Sequence, residues 1–139
     1  MSAEKYKSIV EHALDCFSRG NLDGYLELYN ANPILHFLPP DMPPGLEGGR
    51  LFYSSFLTGF PGAQLIADDM IIENNMVAVR YRVEAAHRGE FMGVPPTGKQ
   101  VLLKGITIMR FEGDEVAERW NEADFLGLVQ QLGIIPAPE

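Results

Sequence analysis

One cysteine, Cys16, is all the thiol chemistry in this sequence, and that scarcity rules out an internal disulfide. The chain holds no CxxC pair and no two histidines at metal-ligand spacing, so no structural metal is expected. Positive charge is also scarce: 11 Lys and Arg stand against 19 Asp and Glu, giving a formal net charge of -8. Binding to nucleic acid draws on clustered Lys and Arg, and no nucleic-acid partner is expected. Long hydrophobic runs are missing too. No stretch approaches the ~20 apolar residues that span a bilayer, and the first residues lack a basic segment followed by an apolar one. These absences lead to the expectation of a soluble, cytoplasmic protein with no membrane partner. What is present is apolar material for a core: 139 residues, 46% of them hydrophobic, without repeats or linkers, read as one domain over 1–139.

In the first half the apolar period is helical. Tyr6, Ile9, Val10, Ala13, Leu14 and Phe17 recur at helical spacing, and Gly20 supplies a stop. His12 falls off this stripe and reads as solvent-facing. Cys16, beside it, reads as a small packed residue with no partner base indicated. Leu22, Leu26 and Tyr29 predict a short second helix after Asn21, and Pro33 then opens a strand to about Leu38. "LPPDMPPG" is a stiff loop, either a plain connection or a rim. Residues 48–59 predict a third helix that buries Leu51, Phe52, Phe56 and Leu57.

The second half changes period. Residues 64–72, 76–87, 100–111 and 115–121 are rich in β-branched and aromatic residues, with turn signals at Glu73-Asn74-Asn75 and Glu112-Gly113-Asp114. Phe125, Leu128, Val129 and Leu132 restore helical spacing, and Gly133 ends it. Helices followed by a meander predict an α+β fold, with N-terminal helices on one face of a curved, mainly antiparallel sheet.

Side chains alternate along a strand, so Val79, Tyr81, Val83, Ala85 and His87 share one apolar face. The same parity puts Val116, Glu118 and Trp120 together, and Asp124 with them if the strand persists. A carboxylate, a tryptophan and a histidine then look into one concavity, a combination suited to proton transfer. His36 shares a face with Ile34 and Leu38 and is a candidate for the pocket mouth. Each residue has a plainer role beside the chemical one. Asp124 can cap a helix, with Asn121 as the alternative cap; Trp120 can be core; Glu118 can be solvated; His87 can be held by the turn "GVPPTG".

Taken in order, "HRGEFMGVPPTGK" and the apolar strand behind it, "GDEVAERW", Asp124 and "GLVQQLG" resemble the SnoaL-like polyketide cyclase or ester cyclase family. This family lies within the superfamily of ketosteroid isomerases, scytalone dehydratases and limonene epoxide hydrolases. The likeness includes the first helix and the segment ending at His36, so it spans nearly the whole chain. It implies a cone of three helices on a strongly curved sheet enclosing an apolar pocket. It also implies aldol ring closure in a polyketide methyl ester without metal or cofactor, with Asp124, in the W-x-x-x-D position, as the acid/base residue. Those cyclases draw polar pocket groups, a histidine included, from the strand before the final hairpin. Residues 105–109 here read Gly, Ile, Thr, Ile, Met, and Thr107 is the polar one.

Two classes of function follow. One is a cofactor-free cyclase, isomerase or lyase acting next to a carbonyl, with Asp124 removing an α-proton and His87 or a water donating to the developing enolate oxygen. Trp120, Glu118, His36, Tyr81 and Thr107 line the site of a small apolar carbonyl ligand in this reading. The other is a non-catalytic small-molecule binding or dimerisation module. In both the open face of the sheet is expected to pair two chains.

Overall fold

Ser2 accepts a hydrogen bond from the Lys5 backbone N–H at 3.2 Å and caps α1 (Ala3–Ser18) in the computed structural model, which describes residues 2–135. Met1 and residues 136–139, the ends of the expected domain, lie outside the described residues. The stripe of α1 is buried as its spacing predicts, through Tyr6, Val10, Ala13 and Phe17. Asn21 caps α2 (Leu22–Leu26), its side chain accepting from Gly24 N–H at 3.0 Å. The chain then departs from expectation, because Tyr29 does not close that helix. It opens β1 (Tyr29–Leu35), four residues ahead of Pro33.

Helix α3 (Gly45–Gly59) also starts earlier than its apolar pattern indicates. Its inward stripe is Gly49, Tyr53, Phe56 and then Phe60, while Leu51 stands 48% exposed and Leu57 is half-buried. The expected stripe through Leu51 and Leu57 is therefore rotated. Gly48 contributes to that rotation: a Cβ there would overlap the Pro43 carbonyl, so this face can lie against the loop only because it is bare.

Strands β2 (Gln64–Glu73), β3 (Met76–Ala86), β4 (Gln100–Glu112) and β5 (Glu115–Ala123) follow, and α4 (Phe125–Gln131) ends the described elements. The sheet order is β1-β5-β4-β3-β2, antiparallel throughout except for the parallel β1–β5 pair. This is the α+β arrangement the sequence predicts. The side chains between helices and sheet form the core, with Tyr25, Phe60, Phe111, Met109 and Leu128 among the largest fully buried. Fully burying an apolar side chain of this size is worth roughly 1.5–3 kcal/mol. At the far end of β4, where β5 has already stopped, Gln131 of α4 stands in for a strand partner. Its carboxamide accepts from Leu102 N–H and donates to Leu102 C=O, both at 2.8 Å.

One irregularity decides what faces the core. Phe111 pairs with Val116 and Arg110 with Glu118, so Ala117 is an extra residue, a β-bulge. Val116 and Ala117 are both buried, and the alternation restarts one residue out of step. Arg119, Asn121 and Ala123 consequently face inward, opposite Met109, Thr107 and Gly105. Glu118 and Trp120 face outward, and their expected place beside Tyr81 and His87 is corrected. A one-residue slip moves every following side chain to the other face.

Candidate functional site

The bulge on β5 delivers a guanidinium to the interior. Arg119 is 7% exposed and is met there by tyrosines from three elements. Its Nη1 donates to Tyr25 Oη and Tyr29 Oη at 2.7 Å and lies 3.2 Å from Tyr53 Oη. Nε donates to Thr107 Oγ1 at 2.8 Å, and that hydroxyl in turn donates to the Trp120 carbonyl at 2.8 Å. The hydroxyls of Tyr29 and Tyr53 are hydrogen-bonded to each other at 2.6 Å. Among the described residues Nη2 has no hydrogen-bond partner, and the guanidinium lies 5.7 Å from the centre of the Phe37 ring.

Tyr81 completes the polar floor by reaching across β4 to donate to Asn121 Oδ1 at 2.8 Å. That reach depends on Gly105, the partner of Tyr81 on β4; a Cβ there would overlap the Tyr81 hydroxyl and ring.

Electrostatically the floor is unbalanced. Burial pushes the hydroxyls of Tyr29, Tyr53 and Tyr81 above the usual tyrosine value, although Arg119 pulls the other way, and they stay neutral donors. Burial also works against the charge on Arg119, but the surrounding tyrosine oxygens outweigh it and the guanidinium keeps its proton. Among the described residues no Asp or Glu lines the space around it. The result is a desolvated cation surrounded by neutral hydroxyls, a state that costs several kcal/mol unless something offsets it.

The space beside Arg119 is a chamber of about 50 Å³. Phe37, Phe52, Phe56 and Phe125 form its neck and also line a wider outer hollow of about 480 Å³. Pro39, Met42, Phe91, Met92, Leu126 and Val129 finish that hollow, and Ser55 is its one polar wall residue. The inner chamber holds only a few water-sized bodies, while the outer hollow falls within the size range of small-molecule pockets. A ligand here places one polar group at Arg119 and its apolar body outside the aromatic neck.

The residues singled out in the sequence fall into separate groups. Tyr81 and Thr107 belong to the floor just described. His36, Glu118 and Trp120 come together on the opposite face of the sheet. There His36 Nε2 meets Glu118 Oε2 at 2.7 Å, the imidazole ring stacks on Trp120 with ring centres 5.0 Å apart, and Arg110 Nε holds the other carboxylate oxygen at 3.1 Å. These contacts, His36 first and Arg110 second, draw the Glu118 carboxyl below its usual value. His36 is therefore not at the pocket mouth, which corrects that expectation.

His87 is fully buried but lines neither chamber. Its Nδ1 accepts from Thr97 N–H at 3.2 Å and contacts Thr97 Oγ1 at 3.0 Å, so it pins the "VPPTG" turn onto β3. Asp124 is exposed, and its Oδ1 caps α4 by accepting from Gly127 N–H at 2.8 Å. Geometry thus assigns it the capping role, with no contact to the floor. Cys16 is buried and His12 is exposed, both as expected, and His12 Nε2 lies 3.6 Å from the thiol sulfur.

Arg119, Asn121, Tyr25, Tyr29 and Tyr53 are the site residues the sequence reading passes over. One signal was available: two successive apolar residues, Val116 and Ala117, break the alternation just after a turn, as a bulge does.

Comparison with known proteins agrees with this architecture. The family model described as SnoaL-like polyketide cyclase matches residues 7–132. AclR of Streptomyces galilaeus, a proposed hydroxylase, superposes with a TM-score of 0.90 at 27% identity, covering 99% of this chain and 87% of that one. TsrD of Streptomyces laurentii gives 0.86 at 23% identity over 97% of this chain and 99% of its own. IdmH of Streptomyces antibioticus, a proposed polyketide cyclase, gives 0.77 at 24% identity over 92% and 98%. At such identities TsrD and IdmH speak for the fold alone. No protein of the curated set matches the chain.

Proposed function

Because the chain belongs to the SnoaL-like polyketide cyclase family, we propose that it takes up an enolisable carbonyl compound and stabilises its enolate on Arg119. The observation that carries this reading is a buried guanidinium with no acidic partner, whose Nη2 is left to the cavity. A cation already desolvated and held by Tyr25, Tyr29 and Thr107 needs no reorganisation when negative charge develops opposite it. On the same floor Tyr81 gives its hydroxyl proton to Asn121 Oδ1, which leaves the Asn121 carboxamide N–H groups to add hydrogen bonds that strengthen as the oxygen becomes anionic.

In this scheme the substrate carbonyl points at Arg119. The α C–H bond breaks, its proton goes to water at the mouth, and the electron pair moves onto the oxygen. The enolate carbon then attacks a second carbonyl of the same molecule, a C–C bond closes the ring, and the new alkoxide takes a proton from water. Atoms and electrons balance without an oxidant. The apolar outer hollow suits the rest of such a substrate.

A second reading, a non-catalytic binding module, draws support from one feature: among the described residues no carboxylate or imidazole lines either chamber to serve as base. Deuterium exchange separates the two. With small ketones, β-keto esters and anthraquinone-like ring precursors, the enzyme reading expects α-proton exchange above the solvent rate, lost in Arg119→Gln. Exchange at the solvent rate for every compound that binds contradicts it and leaves the module. Either reading includes pairing of two chains across the outer sheet face, where Ile106, Ile108 and Trp120 are exposed. Light scattering that reports a monomer at micromolar concentration contradicts that pairing.

A further inference from the structure

The imbalance at Arg119 exists whether or not a substrate is present, and it has a consequence for the unliganded protein. Three properties of the inner chamber select what can sit there. The charge is a single positive one, and among the described residues no carboxylate lines the space around it. The volume of about 50 Å³ admits only a few water-sized bodies. Apart from Asn121 and the neutral tyrosine hydroxyls, the walls are apolar, Leu65, Val83 and Leu103 among them, and penalise any charge beyond the one Arg119 neutralises. Water satisfies a hydrogen bond but brings no charge. A divalent anion brings one charge too many, and a bulky one does not pass the aromatic neck. We propose that the inner chamber is a binding site for a small monovalent anion of the halide class, seated against Arg119 Nη2 and displaced by the ligand's oxygen.

The geometry fits such an ion. Nη1 and Nε are fixed by Tyr25, Tyr29 and Thr107, so the guanidinium plane cannot turn away, and Nη2 keeps its donors free of protein partners among the described residues, in a side chain that lines the chamber. The ion and the substrate oxygen compete for the same N–H groups, which makes halide concentration a regulator of ligand binding. This inference rests on Arg119 being the anion-binding end of the site, as in the function proposed above, and on no reaction.

Bromide is the probe. A bromide-soaked crystal of the full chain is expected to show an anomalous peak in the inner chamber within hydrogen-bond distance of Arg119. In solution, exchanging sulfate for bromide at fixed ionic strength is expected to raise the melting temperature saturably by a few degrees, since an ion that binds only the folded state stabilises it by mass action. Arg119→Gln is expected to abolish both. Should that variant fail to fold, Tyr53→Phe, which keeps Arg119, retains the peak, and the crystal of the unaltered protein still decides. A wild-type crystal without the peak overturns the proposal, as does a saturable rise that survives in folded Arg119→Gln. The two readings fail separately. Bromide at Arg119 without α-proton exchange contradicts only the reaction, and exchange that needs Arg119 without a bromide peak contradicts only the ion site.

Discussion

Glu118 and Arg119 are neighbours on β5, yet their side chains leave the strand on opposite faces and meet opposite electrostatic surroundings. Glu118 finds His36 on one oxygen and Arg110 on the other, beside water that screens what is left. Arg119 finds four hydroxyls and no acid. The outer cluster is complete in itself: every charge has its opposite within hydrogen-bond reach. The inner one is complete in hydrogen bonds on two of its three nitrogens and incomplete in charge. Rich side-chain chemistry is therefore a poor guide to the working face of this sheet. The outer face carries a His, a Glu, an Arg and a Trp in contact, and the inner face has the unmet demand for a negative group.

The sharpest way to break this comparison is to neutralise each member in turn. Arg119→Gln is expected to weaken binding of an acidic phenol by about 10–100-fold, the loss of one or two hydrogen bonds to a charged group worth roughly 1.5–3 kcal/mol. Glu118→Gln should leave that affinity unchanged, and calorimetric titration of both variants checks the pair. Next in size is Gly105→Ala, which forces Tyr81 off Asn121; overpacking of this kind costs about 1–3 kcal/mol, and chemical denaturation should register it together with weaker ligand binding.

Smaller again is the cap. Asp124→Ala is expected to lose about 0.5–2 kcal/mol in a thermal melt, while Asp124→Asn, which caps as well, should be nearly silent in both stability and ligand binding. Loss of ligand ionisation in the folded Asn variant would bring the Asp124 carboxylate back as a participant.

The smallest effect belongs to the outer cluster and shows only in acid. Since the Glu118 carboxyl titrates below its ordinary value of 4.5 in the folded protein, its stabilisation is full above that value. It is lost as the pH falls through the lower folded-state value. Melting curves from neutral pH downward should show that loss, and Glu118→Gln should flatten it.

Much of the fold was legible because its signals are local. The α1 stripe, the turns at Asn74 and Gly113, and the inward parity of β3 each depend on residues within one element, and they appear in the structure as read. The site was not legible for the complementary reason. Tyr25, Tyr29 and Tyr53 come from α2, β1 and α3, and only tertiary packing brings them to one guanidinium. Tyr29 was assigned to a helix because Leu22, Leu26 and Tyr29 fit that spacing. Tyr53 was passed over because the aliphatic Leu51 and Leu57 outweighed a stripe that begins at a glycine. Ala117 did the most damage. One extra residue in β5 exchanged the faces of Glu118 and Arg119, and a parity argument carried through a bulge returns the wrong set of side chains.

The central claim is that the inner chamber presents uncompensated positive charge to its ligand, and the ionisation of a bound reporter tests it most directly. A hydroxyanthraquinone changes colour when its phenol loses a proton, so its apparent pKa can be read by absorbance free and in the presence of saturating protein. The account predicts a bound pKa below the free one, with the shift abolished in Arg119→Gln and intact in Glu118→Gln. A bound pKa equal to or above the free value, in a protein that demonstrably takes up the dye in competition with other cavity ligands, contradicts it.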